Sequence, residues 1–103
     1  MDVVQKLYCY AKDKGVKVDY IDKGISFNNG IDTFVIIVER IDKTSDIVLL
    51  HKNIFLEKGH KRNKIYGKYI DYHIQKTFKK LKEPTIVIDY ALRHNDKWTK
   101  KKR

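Results

Sequence analysis

The chain has 103 residues, 42% apolar and 35% charged, with 23 Lys and Arg against 13 Asp and Glu and a formal net charge of +10. That length makes one domain, able to bury roughly two-thirds of its unfolded surface, and periodic Ile, Val, Leu, Tyr and Phe exclude a disordered polyelectrolyte. The lone Cys9 excludes an intrachain disulfide and a zinc site of paired cysteines. No apolar run has the length of a membrane span or resembles a signal peptide, so a cytoplasmic, intracellular protein with no membrane partner is expected.

The first predicted element is a helix capped by Asp2. Val3, Val4, Leu7, Tyr8, Tyr10 and Ala11 recur at helical spacing, and Gly15 stops the run. Cys9 falls within it and is expected to be a small buried residue. Val16, Val18 and Tyr20 then alternate with Lys17 and Asp19, a half-buried strand; Gly24 interrupts it, and Ile25 and Phe27 resume the alternation. Asn28-Asn29-Gly30 is a turn signal, because Asn and Gly accept positive φ. Thr33 to Val38 is apolar on both faces and reads as a central strand. A second turn at Asp42-Lys43-Thr44-Ser45 leads to a strand from Ile47 to Leu50.

Residues 52 to 64 are ambiguous, with Ile54, Phe55 and Leu56 assigned to the core and Gly59 to Lys64 to a basic loop. Helical spacing of Ile65, Tyr66, Tyr69, Ile70, His73, Ile74, Phe78 and Leu81 predicts a second helix from about Ile65 to Leu81, ended by Pro84. Thr85 to Tyr90 reads as a last strand. The predicted order is α-β-β-β-α-β. It implies one α+β domain over residues 1–92, an antiparallel three-stranded meander with an added edge strand, and two helices packed on one face. Residues 93–103 form a basic tail, expected to be mobile. An exposed edge strand would also let two chains pair as a homodimer.

The charge argues for a polyanionic partner, and nucleic acid is the first candidate. Lys61, Arg62, Lys64 and Lys68 would gather positive charge at the start of the second helix, where backbone N–H groups also favour phosphate. Lys97, Lys100 and Lys101 surround Trp98, a basic arm with one ring able to stack on a base. The alternative for both is a solvated lysine-rich surface. The tyrosines fall mainly on the apolar stripes and read as core.

Two enzymatic constellations are open. His51 and His60 flank the basic loop and could act as an acid–base pair. Asp32, Glu39 and Asp46 fall on or beside the central strands, and the element order resembles the core of restriction-endonuclease-like nucleases, which would imply bound Mg²⁺. The Glu-x-Lys motif of that family is absent: Glu39 is followed by Arg40 and Ile41. Asp32 and Glu39, seven positions apart, fall on opposite faces of a regular strand. No other cofactor and no metal site is expected. A further rival is an interaction or inhibitor protein of the kind viruses and mobile elements encode, its basic face meeting an acidic protein.

The chain also resembles a divergent double-stranded RNA-binding domain over residues 3–81. Leu7 to Gly15 stands for that family's first helix, Val18-Asp19-Tyr20 for its first strand, and Asn28-Asn29-Gly30-Ile31-Asp32 for the loop before Thr33-Phe34. Gly59 to Lys64 stands where the family has its glycine and paired lysines, although the Gly-Pro-x-His loop and the alanines of the last helix are missing. The resemblance implies shape-based binding of an A-form duplex. Gln5 and Lys6 would touch one minor groove, Asn28 and Asn29 the next, and Lys61, Arg62 and Lys64 the phosphates between.

Overall fold

The computed structural model describes residues 2–30, 32–53, 66–69 and 71–93. Helix α1 spans Val3–Asp13 and opens on a capping box: Gln5 N–H donates to Asp2 Oδ1 at 2.8 Å, and Asp2 N–H donates to Gln5 Oε1 at 3.2 Å. Leu7 and Ala11, one turn apart, are its buried residues. Cys9 is exposed, correcting the expectation of burial. It lies two positions from Leu7, about 200° around the helix and so on the opposite face.

Five strands follow: β1 Lys17–Ile21, β2 Gly24–Asn29, β3 Asp32–Ile41, β4 Ser45–Asn53 and β5 His73–Leu81. All neighbours pair antiparallel in the order β1-β2-β3-β4-β5, so the three-stranded meander of the sequence reading is a five-stranded one. The interrupted strand at Gly24 is a hairpin. Asp22 and Lys23 turn the chain, with Lys23 at φ 64, a left-handed conformation that non-glycine residues adopt at a cost.

The predicted helix over 65–81 is a short 3₁₀ turn, Gly67–Tyr69, followed by β5. Two register irregularities against β4, between Leu49 and Leu50 and between Ser45 and Ile47, explain the misreading. Each adds a residue to β5, so its alternation slips phase. His73, Lys76 and Phe78 face one side, opposite His51, Leu49 and Ile47, and Leu81 follows. Steps of three, two and three imitate helical spacing. Conversely, the strand predicted at Thr85 to Tyr90 is helix α2, residues 86–93. Its β-branched residues suggested a strand, but Val87, Ile88 and Ala91 are the ones buried, one helical face. Docking onto the core overrides local propensity, and Pro84 stands at the entry, where its missing N–H costs nothing.

Both helices lie on one face of the sheet. Leu7, Ala11, Val87, Ile88 and Ala91 pack there on Phe27, Phe34, Ile36, Ile47, Leu49 and Phe78. The helices run parallel: Lys6 pairs with Glu83 at 3.1 Å, and Tyr10 donates to Asp89 at 2.7 Å. On the far face Val35, Val48 and Leu50 form a second small core, against which Tyr66, Tyr69 and Tyr72 pack. This double covering explains why β3 is apolar on both sides. No helix among the described residues is long and apolar enough to cross a membrane.

Tyr66 ties this cover down by donating to the Glu39 carboxylate. Burial first, and that hydrogen bond second, push its phenol up to about 12 from 10.0. A phenol whose pKa is raised on folding stabilises the fold below the unfolded value and loses that contribution as pH climbs through the folded value. Tyr66→Phe should therefore melt below wild type at pH 9, with the gap closing between pH 10 and 12. Thermal melts across that range check this, and a constant gap would count against it.

Candidate nucleic-acid interface

The sheet has two ends. At one, which we call the His51 end, lie the start of β1, the β2–β3 turn, the last residues of β4 and the first of β5. At the other, the Asp46 end, lie the β1–β2 and β3–β4 turns and the link from β5 to α2. Because α1 and α2 run parallel, both finish at the His51 end; Lys14, the C-cap of α1, comes within 3.9 Å of Asp89.

A buried polar pair sits at the His51 end. Asp32, the first residue of β3, is fully buried, and His51 is 1% exposed. Phe34 pairs with His51 across the β3–β4 ladder, which makes Asp32 its diagonal neighbour on the helix face. His51 Nε2 lies 2.5 Å from Asp32 Oδ1. The imidazole stacks on Phe34 at 4.7 Å and meets His73 edge-on at 4.9 Å. His73 in turn contacts Gln75 Oε1 at 2.7 Å.

The residues resemble catalytic parts, but the burial decides the chemistry. A general base must reach its proton within hydrogen-bond distance. His51 spends Nε2 on Asp32 and presents almost no surface, so this pair holds strands together. Sequence reasoning named both residues but not the pair, assigning Asp32 to Glu39 and His51 to His60. Parity could have found it. Asp32 shares the phase of Phe34 and Ile36, and His51 that of Ile47 and Leu49, so both had to point into the core.

The remaining carboxylates do not join them. Glu39 lies seven residues along β3, about 23 Å away at a strand's rise, and is bonded to Tyr66. Asp46 accepts from Lys80 N–H at 2.9 Å and lies 3.8 Å from Lys79 Nζ, closing the far end of β5. Among the described residues no group of His, Cys, Asp and Glu is arranged to hold a metal ion.

The predicted binding residues are divided between the two ends. Gln5 and Lys6 sit on the first turns of α1 at the Asp46 end. Gln5 is engaged in the capping box and Lys6 in its pair with Glu83, whose carboxyl the Lys6 and then the Thr85 hydrogen bonds hold below its ordinary range. Asn28 and Asn29 lie at the His51 end, Asn28 Nδ2 donating to Thr33 Oγ1 at 2.9 Å. Lys68 is exposed within the 3₁₀ turn. His60, Lys61, Arg62, Lys64, Lys97, Trp98, Lys100 and Lys101 lie outside the described residues.

Pattern reasoning did not single out a row across the far face. Lys17 pairs with Asn28, Asn28 with Thr33, and Thr33 with Lys52, so four neighbouring strands present these side chains on one line. Lys52 Nζ stands 5.9 Å from the Tyr72 ring, and Tyr72 meets Tyr69 edge-on at 5.5 Å. Strand pairing was needed to find this row, since its members are scattered over 36 positions of the sequence. Comparison with protein-family models, curated proteins and solved structures found no match to this chain.

Proposed function

We propose that this protein binds nucleic acid, mainly through the phosphates and with little sequence preference. The observation that carries the reading is where two basic stretches of the chain leave the described fold. The chain leaves the sheet after Asn53 for residues 54–65, and leaves α2 after residue 93 for residues 94–103. Together these two stretches hold nine of the 23 Lys and Arg but two of the 13 Asp and Glu. Both departures are at the His51 end, beside Lys17, Asn28, Asn29 and Lys52. Two basic stretches that depart from the same end of the sheet suit a polyanion better than a charge spread for solubility.

Double-stranded RNA is the form that the family resemblance implies. The lysine-rich helix over 65–81 that it called for is strand β5, so charge placement supports nucleic acid without choosing between duplex and single strand. The carboxylates assigned to a nuclease lie apart and are engaged within the fold, and nothing in their geometry favours cleavage over binding.

Counterion release makes the reading measurable. Fluorescence anisotropy with labelled RNA and DNA oligonucleotides, single and double stranded, should give affinity that falls between 50 and 200 mM salt by about 2,000-fold for duplexes and about 300-fold for single strands if some six phosphates are contacted. Absence of binding to all four at 50 mM salt would overturn the proposal and favour a protein partner.

A further inference from the structure

Among the described residues, only half of the far face of the sheet is covered. Tyr66, Tyr69 and Tyr72 pack over the β3–β4 half. The β1–β2–β3 half holds an open cavity of about 310 Å³ lined by Lys17, Asp19, Ser26, Phe27, Asn28 and Thr33. We infer that this groove, bounded by Lys17 on one side and by Lys52 with Tyr72 on the other, is a track for a single-stranded nucleic acid.

The inference rests on the nucleic-acid reading and names the form bound. Lys17 and Lys52 are three strand spacings apart, roughly 14 Å. Phosphates a few nucleotides apart can meet both ammonium groups, while Ser26, Asn28 and Thr33 offer hydroxyl and amide groups to sugar and phosphate between them. Single strands are held by a positive groove that follows the backbone and by aromatic rings on which bases stack. Tyr72 supplies the ring next to one of the two cations. A duplex keeps its bases in its own stack and so offers none to the Tyr72 ring. The floor has no arginine fork or paired amides aimed at base edges, so binding there is indifferent to sequence. Among the described lining residues Asp19 is the one carboxylate, and it opposes a phosphate near Lys17.

The test uses the full chain and fluorescein-labelled oligo(dT) and oligo(U), with matched RNA and DNA duplexes beside them. Lys17→Gln with Lys52→Gln should weaken single-strand binding at least tenfold and reduce the salt slope by about 1.4, the loss of two phosphate contacts. Lys43→Gln with Lys82→Gln removes the same charge at the Asp46 end and should change affinity less than threefold. Asp19→Asn should tighten binding several-fold. Melting temperatures of the variants establish that each is folded. Independently, photo-crosslinking of 4-thiouridine-containing RNA to the wild-type chain should label the tryptic peptide that contains Tyr72. Equal losses in the two double variants, or crosslinks confined to residues 94–103, would overturn the groove while leaving nucleic-acid binding intact. Failure of the wild-type chain to bind any oligonucleotide would overturn both.

Discussion

Asp32→Ala should destabilise the protein by about 1–3 kcal/mol, the usual cost of leaving a buried hydrogen-bonding group without its partner. The whole stability of such a domain is about 5–15 kcal/mol, so the variant should melt on the order of 10 °C lower. The site explains the size of the effect. Asp32 is fully buried, and its Oδ1 lies 2.5 Å from Nε2 of a histidine sandwiched against Phe34. Water cannot replace the lost carboxylate without opening the end of β3 where it meets β4. Asp32→Val combined with His51→Leu removes both polar groups and should recover most of the loss, because apolar residues of similar volume often replace a buried pair at no cost. The two variants, compared by thermal and urea melts, separate a structural pair from a reactive one. The double variant should also keep its affinity for nucleic acid, since neither side chain reaches the surface. Loss of binding in a folded double variant would argue that the pair takes part in function.

Gly24→Ala should cost about 3 kcal/mol, the upper end of ordinary overpacking, and lower the melting temperature by roughly 12–24 °C. A Cβ at Gly24 would lie 1.8 Å from the carbonyl oxygen of Ile36 and 2.9 Å from its carbonyl carbon. Both are backbone atoms of the central strand, and Ile36 is fully buried, so nothing flexible can give way. Gly24 also opens β2 next to the Asp22-Lys23 turn, where Val38 N–H donates to the Lys23 carbonyl at 2.8 Å. The added methyl would push β2, and β1 with it, off β3. Gly30→Ala is the control. Gly30 has φ 75 but nothing within 4 Å of a built Cβ, so only the left-handed backbone penalises the change, by about 1–2 kcal/mol. Equal effects at the two positions would contradict the close approach at Gly24.

The α+β class, the helix capped by Asp2, the turn at Asn28 to Gly30 and the central strand were legible, because each rests on a local rule: a cap, a turn residue, an unbroken apolar run. Two elements were misread for the same underlying reason. In β5 the irregularities against β4 shift the phase of alternation, and their position depends on the partner strand, which the local sequence does not contain. At α2 the β-branched Ile86, Val87 and Ile88, with Thr85 just before them, carry strand propensity, while contact with Leu7 and Ala11 of α1, more than 70 residues earlier, rewards a helix. The Lys17–Asn28–Thr33–Lys52 row was hidden for a third reason: its members meet only once four strands are in register. Single-residue chemistry flagged Asn28, but the two lysines looked like any others in a chain that is one-fifth Lys and Arg.

The proposed function brings nucleic acid to the His51 end of the sheet. The most direct measurement is an amide ¹H–¹⁵N titration of the full chain with a short oligonucleotide at low salt. Shifts should centre on Lys17, Asn28, Asn29 and Lys52, with quiet signals at Lys6, Lys23, Lys43 and Lys82. Shifts centred on those last four residues, or none anywhere at saturating oligonucleotide, would contradict it.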